Sequence, residues 1–286
     1  MKSWKVSIEQ LRLDPATYEL LDVLQKGFQH FGIDYYLVGA ISRNAWMNGL
    51  HRIVPRRTTT DIDFAVLIND KGRFEELMSH LIKNENFVGS KENAFVLIWK
   101  NGYQVDLLPF GAIEDEDRKV SIIGTGFTSV DVPGFLEIYE GELPEIDINN
   151  HRLKCCSLPG IVLLKLIAWD DRPELRSGDI IDIADILKYF FDMYTDEIYE
   201  NHHDLFQYDE MELIDIAAIV LGREIKKIAC RNKELENRLL HILNGNTESY
   251  ATSRIAILMT SYFDNTAEDN YKLLIRIKHG YIGSRA

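Results

Sequence analysis

Thr58-Thr59-Thr60-Asp61-Ile62-Asp63-Phe64-Ala65-Val66 places two carboxylates two residues apart at the head of an apolar, β-type run. Side chains at i and i+2 of a strand share a face. The stretch therefore predicts Asp61 and Asp63 projecting together while Ile62 turns into the core. A same-face carboxylate pair suits a divalent cation better than a hydrophobic interior, because Mg²⁺ takes hard carboxylate oxygens alongside waters and substrate phosphates. A second apolar run, Tyr103-Gln104-Val105-Asp106-Leu107-Leu108, sets a third carboxylate among strand residues. Asp61, Asp63 and Asp106 together predict a two-metal phosphoryl-transfer site. Alone, the D-x-D pair fits equally well a solvated strand end in an acidic protein.

Upstream, Tyr35-Tyr36-Leu37-Val38-Gly39-Ala40-Ile41-Ser42-Arg43-Asn44-Ala45-Trp46 reads as a short buried strand, a tight glycine turn and a helix over Ile41–Asn48. Glycine lets the backbone come close to a ligand, and a helix start offers unpaired N–H groups and a positive dipole end to an anion. Gly39, with the Ser42 hydroxyl and the Arg43 charge, is thus a nucleotide-binding candidate; an ordinary strand-to-helix turn is the plain alternative. Between the two stretches, His51-Arg52-Ile53-Val54-Pro55-Arg56-Arg57 carries three arginines, whose guanidinium groups match phosphate bidentately. Arg57 abuts the D-x-D motif and is read as functional. Arg52 and Arg56 fit a solvated loop as well as a basic rim for a polyanionic acceptor.

Around this centre, Asp14-Pro15 predicts an N-cap followed by proline at the first helical position, with the helix closing at Gly32. Asn69 or Asp70 caps a helix reaching Lys83, and Lys100-Asn101-Gly102 joins strands 95–99 and 103–108 as a hairpin. Residues 110–156 read as an irregular β-rich extension with hairpins around Gly124 and Asn149-Asn150. From Leu158 the pattern turns helical, with helices over 158–170, 179–191, 210–221, 233–243 and 267–277. A boundary near Ser157 gives two domains, residues 1–156 and 157–286. Lys165 interrupts the apolar run Ile161–Trp169 and must either snorkel outward or face a partner. Asp179, Asp182 and Asp185 share a helical stripe, with Asp185 read as solvated. His202-His203 reads as surface rather than metal-binding.

The 286 residues, 46% hydrophobic and 27% charged, are those of an ordinary soluble protein. No apolar stretch approaches the ~20 residues that span a bilayer, and Met1–Val6 lacks the apolar core of a signal peptide. The three cysteines form neither a disulfide framework nor a zinc pattern. A cytoplasmic, membrane-independent protein is expected. A net charge of −13 argues against nonspecific coating of nucleic acid but leaves room for a local basic patch.

The order of strand, glycine turn, helix, D-x-D strand and lone-Asp strand resembles the nucleotidyltransferase superfamily. More narrowly, the chain resembles the AbiEii/AbiGii toxin-like nucleotidyltransferases, found as abortive-infection proteins and as toxins of two-gene toxin–antitoxin systems. The matching segments are Leu37–Ala40, Arg57–Phe64, Val105–Gly111, and Leu164–Arg172 followed by Gly178–Ile183, within residues 35–190. Ala40 departs from the pattern, standing where many members have Gly or Ser. The resemblance implies an α+β fold: a nucleotidyltransferase-type mixed sheet with flanking helices, then a helical C-terminal domain. It implies NTP as substrate, two Mg²⁺ ions on Asp61, Asp63 and Asp106, and nucleotide contacts from Gly39, Ser42, Arg43, Arg57, Lys165 and Asp182. In the family this lysine reaches the phosphates across an interdomain cleft, and Asp179 and Asp182 are the implied partners of Lys165 or Arg172. The implied acceptor is a tRNA end or a protein side chain, and a cognate antitoxin is the implied partner. Two other readings stay open: an aminoglycoside-type small-molecule nucleotidyltransferase and a non-catalytic nucleotide-binding module.

Overall fold

The computed structural model describes residues 3–54, 61–207 and 211–283, and the chain divides into two units, Met1–Ser157 and Leu158–Ala286. The first runs β1 (Ser3–Val6), α1 (Thr17–Phe31), β2 (Tyr35–Leu37), α2 (Gly39–Asn44), β3 (Ile62–Leu67), α3 (Lys71–Asn84), β4 (Val88–Gly89), β5 (Val96–Trp99), β6 (Tyr103–Phe110), β7 (Lys119–Ser121), β8 (Ser129–Asp131), α4 (Phe135–Tyr139), β9 (Glu145–Ile148) and β10 (His151–Lys154). The second runs α5 (Leu158–Asp171), α6 (Ser177–Met193), α7 (Thr195–Asn201), α8 (Leu213–Ala229), α9 (Lys233–Gly245), α10 (Arg254–Met259) and α11 (Ala267–Gly283). The mixed sheet with flanking helices, followed by a helical unit, is the α+β architecture that the resemblance implies.

Among the described residues the main sheet has the order β2-β3-β6-β5-β4. Only the central pair β3–β6 is parallel; the other neighbours are antiparallel. Alternation along β3 and β6 gives the sheet two unlike faces. Phe64 lies on the face covered by α1, where it meets Phe28 at 5.6 Å. Tyr36 and Phe110 lie on the other face, in an aromatic group with Phe135 and Tyr139 of α4. Asp63 and Asp106 share that second face but sit toward the opposite end of the strands, away from the aromatics.

Local signals account for most boundaries. Helix α1 starts at Thr17, two residues after Pro15, because the Asp14 carboxylate accepts from Ala16 N–H at 2.8 Å and winds a turn ahead of it. It ends at Gly32 (φ 60°), where Gly32 N–H reaches Gln29 O and Ile33 N–H reaches Phe28 O, the paired bonds of a Schellman stop. Asp70 caps α3 by accepting from Arg73 N–H at 2.9 Å. Asn149 and Asn150, at φ 49° and 77°, make the tight turn between β9 and β10. The helix expected over Ile41–Asn48 instead begins at Gly39 and after Asn44 widens into a π-helical turn, Ala45–Leu50.

In the helical unit, α5 is apolar nearly all round and correspondingly buried. Helices α8 and α11 approach through glycine: a Cβ on Gly222 would lie 2.0 Å from Ile277 O, and one on Gly280 would lie 1.9 Å from Ile219 O. Helix α8 starts at Leu213 rather than near Glu210, a residue outside the described ones. Among the described residues no helix is long and apolar enough to cross a membrane.

Candidate active site

The parallel pairing of β3 with β6 sets Asp63 directly opposite Asp106. Paired residues on adjacent strands point to the same face about 4.8 Å apart, so two carboxylates from sequence positions 43 apart stand side by side. Asp61 precedes β3 by one residue and is half-buried, as are Asp63 and Asp106. On the opposite flank of Asp106 stands Val96 of β5. Gln104, two residues before Asp106 on the same face, donates its Nε2–H to Asp106 Oδ1 at 2.9 Å. Gln104 had no part in the sequence reading; its signal was its i−2 spacing to an aspartate.

Gly39 has a more specific job than allowing a ligand near the backbone. It adopts φ +65°, and a Cβ built on it would lie 2.0 Å from Asp63 Oδ2 and 2.6 Å from Asp63 Cγ. The carboxylate of Asp63 therefore rests on the bare α-carbon of Gly39, while Val38 N–H holds the Asp63 carbonyl at 2.9 Å. Gly39→Ala is expected to cost about 1–3 kcal/mol from left-handed strain and overpacking. Because relief of the clash requires moving Asp63, Mn²⁺ affinity should fall with it. Thermal melting and Mn²⁺ titration of the variant check this; wild-type values in both would remove the role given to Gly39.

Two neighbours of that turn are corrected. Ser42 is fully buried; its hydroxyl donates to Cys156 O at 3.0 Å and lies 3.1 Å from Cys155 Sγ. It ties α2 to the chain after β10 and is not presented to a nucleotide. Arg43 is 2% exposed and bonds Asn44 Oδ1 through Nε and Nη2 at 3.3 and 3.2 Å. It is an interior cation, because its helix turns that face into the core. Of the basic loop, His51 and Arg52 are exposed, whereas Arg56 and Arg57 lie outside the described residues.

Within the helical unit, Lys165 neither snorkels nor stands alone. Its ammonium donates to Asp179 Oδ1 at 2.7 Å and Asp182 Oδ2 at 2.8 Å, with all three side chains largely buried. One cation thus offsets two carboxylates a helical turn apart on α6. Asp185, expected on a solvated face, is instead 4% exposed and accepts from the Tyr262 hydroxyl.

His202 is a second correction: it is 4% exposed, while His203 is at the surface. With Glu197 and Glu224 it forms a group whose ligand atoms all lie within 4.8 Å of one another. Two contacts oppose a metal there. Lys227 Nζ already sits 2.6 Å from Glu224 Oε1 and 3.5 Å from Glu197 Oε1. Arg223 Nη1, which can only donate, faces His202 Nδ1 at 3.0 Å, so the neutral ring carries its proton on Nε2 and donates toward Glu224 Oε1 at 3.3 Å. Burial works to raise the Glu224 pKa, but hydrogen bonds from His202 and Lys227 hold it below the usual carboxylate value. The cluster is an ion network around one buried histidine.

No family model matches the chain, and no curated protein matches it. Among solved structures it is similar to an antigenic nucleotidyltransferase-like protein from Paracoccidioides brasiliensis, at 15% identity and a TM-score of 0.42, covering 71% of this chain and 93% of that one. It is similar to the antibiotic-resistance factor ANT(2'')-Ia, at 12% identity and a TM-score of 0.37, covering 81% and 97%. It is also similar to a CCA-adding enzyme in complex with CTP, at 16% identity and a TM-score of 0.33, covering 96% and 72%.

Proposed function

We propose that the chain is a metal-dependent nucleotidyltransferase that moves a nucleoside monophosphate from an NTP to an acceptor hydroxyl, of the AbiEii/AbiGii toxin-like kind its motifs resemble. The observation that carries this reading is the carboxylate pair Asp63 and Asp106, in register on neighbouring parallel strands, with Asp63 seated on Gly39. Paired hard oxygen donors, with a third from Asp61, fit Mg²⁺, which takes a few carboxylates and leaves its other positions to water and phosphate oxygens. They would also fit poorly with a triphosphate unless a cation intervened, since like charges repel.

In this reading Asp61, Asp63 and Asp106 would hold two Mg²⁺ ions. When bound, the metal offsets phosphate charge and lowers the pKa of the acceptor hydroxyl. The acceptor oxygen forms a bond to the α-phosphorus as the bond to the β-phosphate oxygen breaks, releasing pyrophosphate. Asp106 takes the hydroxyl proton. Gly39 contributes by fixing Asp63, and Arg57 keeps its role toward the nucleotide as part of this proposal. Such chemistry depends on positioning and electrostatics more than on covalent participation.

The acceptor we favour is a tRNA end, for which exposed Arg52 offers the start of a basic approach in a protein of net charge −13. A protein side chain is the second arm of the test, and a cognate antitoxin is the expected partner. The purified protein is incubated with Mg²⁺, each α-labelled NTP, and total RNA, total protein or an aminoglycoside in turn. Label in RNA that declines steeply with rising salt is the expected result. Label in protein or aminoglycoside moves the acceptor assignment, and no label from any NTP in any arm overturns the enzyme.

A further inference from the structure

We propose that the exposed ring pair Tyr199–Phe206 in the helical unit is a docking surface for an arginine-bearing segment of a partner protein. Ile198 of α7 and Leu205 of the 3₁₀ turn His203–Gln207 are buried and anchor their segments. The residue after each anchor turns outward, which leaves Tyr199 55% and Phe206 37% exposed. Their rings stack at 4.9 Å and 11°, and Phe191 meets Tyr199 edge-on at 6.1 Å. Large aromatic side chains grouped at a surface are the usual anchors of protein interfaces. This group is also held in place before any partner arrives. Arg223 of α8 grips Asp204 through both Nη atoms at 2.9 and 2.6 Å, and the Thr195 hydroxyl donates to Phe191 O at 2.8 Å. A platform already ordered loses little freedom on binding.

Charge around the rings selects the occupant. Between Tyr189 and Gln207 the sequence holds five carboxylates and neither lysine nor arginine. Asp204 is taken by Arg223 and Glu197 by Lys227. The remaining three, Asp192, Asp196 and Glu200, are exposed and enter no ion pair among the described residues. Asp196, Tyr199 and Glu200 stand at i, i+3 and i+4 of α7, so two carboxylates and a ring share one helix face. A guanidinium satisfies both features at once, because its plane stacks on an aromatic ring while its N–H groups pair with carboxylates. Nucleic-acid bases would also stack on the rings, but their phosphates would meet only negative charge.

The full chain is titrated by calorimetry with a capped peptide of alternating arginine and leucine. A glutamate–leucine peptide and a single-stranded RNA oligonucleotide form the comparison arms. We expect the arginine peptide to bind and the other two not to bind at this surface. Tyr199→Ala/Phe206→Ala should weaken binding about 30-fold, as loss of interface anchors does, at unchanged net charge. Asp196→Lys/Glu200→Lys keeps both rings and should weaken binding about as much. Glu75→Lys/Glu116→Lys makes the same charge change at exposed positions of the first unit and should leave most of the affinity. Equal losses in the two charge-reversed variants overturn the proposal, since binding would then follow net charge alone. Wild-type affinity in Tyr199→Ala/Phe206→Ala, or no binding by the wild type, overturns it as well. RNA binding that disappears with the two rings assigns the surface to nucleic acid instead.

Discussion

Asp63→Asn is expected to lower nucleotide transfer roughly 10³-fold, about 4 kcal/mol of transition-state stabilisation, while leaving the fold intact. The substitution is nearly isosteric, so the side chain still rests on the bare α-carbon of Gly39. What changes is charge: Asp106 in the paired position loses its anionic neighbour, and the cation loses a ligand of the hard, anionic kind Mg²⁺ requires. Removing one of two adjacent carboxylates relieves repulsion in the metal-free protein, so the melting temperature should hold or rise. Activity and stability therefore move in opposite directions, which a misfolded variant cannot imitate. Transfer at the wild-type rate by a folded Asp63→Asn protein would end the proposal that this face is catalytic.

The second large effect concerns folding alone. Gly222→Ala or Gly280→Ala is expected to destabilise the helical unit by about 3 kcal/mol, the upper end of overpacking penalties. An exposed helical glycine replaced by alanine would instead gain about 1 kcal/mol. Here the added methyl meets a backbone carbonyl of the partner helix at 2.0 Å or less, and a carbonyl within a helix has no rotamer by which to step aside. The contacts are reciprocal: Gly222 faces Ile277 and Gly280 faces Ile219, so α8 and α11 must part for either methyl. Once parted, the second methyl adds little, and the double variant should fall well short of the sum. Denaturant melts of the two single variants and the double variant check both claims; a single variant more stable than wild type would contradict the close approach.

Much of the first unit was legible because its signals are local. Asp70 and Gly32 mark helix ends, and Asn149-Asn150 makes a turn needing little from elsewhere. The misread residues are those whose surroundings come from far along the chain. Ser42 looked like a ligand donor because its partner, the Cys156 carbonyl, lies 114 residues away. His202 sits in a polar stretch, Asn201-His202-His203-Asp204, that reads as surface; Arg223, Glu224 and Lys227 enclose it from one face of α8. Asp185 was read as solvated since Tyr262, 77 residues on, is invisible to a helical stripe. Short elements such as α7 and α10 carry too few turns for a period to show.

Strand β1 pairs in parallel with β9, Ser3 against Glu145 through Val6 against Ile148, and Trp4 packs on Trp46 at 4.7 Å. During synthesis the earliest strand of the chain thus waits for a partner made some 140 residues later. At the usual ribosomal pace that is roughly 10–30 s, far longer than the microseconds in which a hairpin closes. For that interval Trp4 and Val6 have no sheet to join, and the D-x-D strand, the glycine turn and β6 all emerge before the small sheet exists. Strands β3 and β6 can therefore pair before β9 is made, whereas Ser3–Val6 cannot join the small sheet until then.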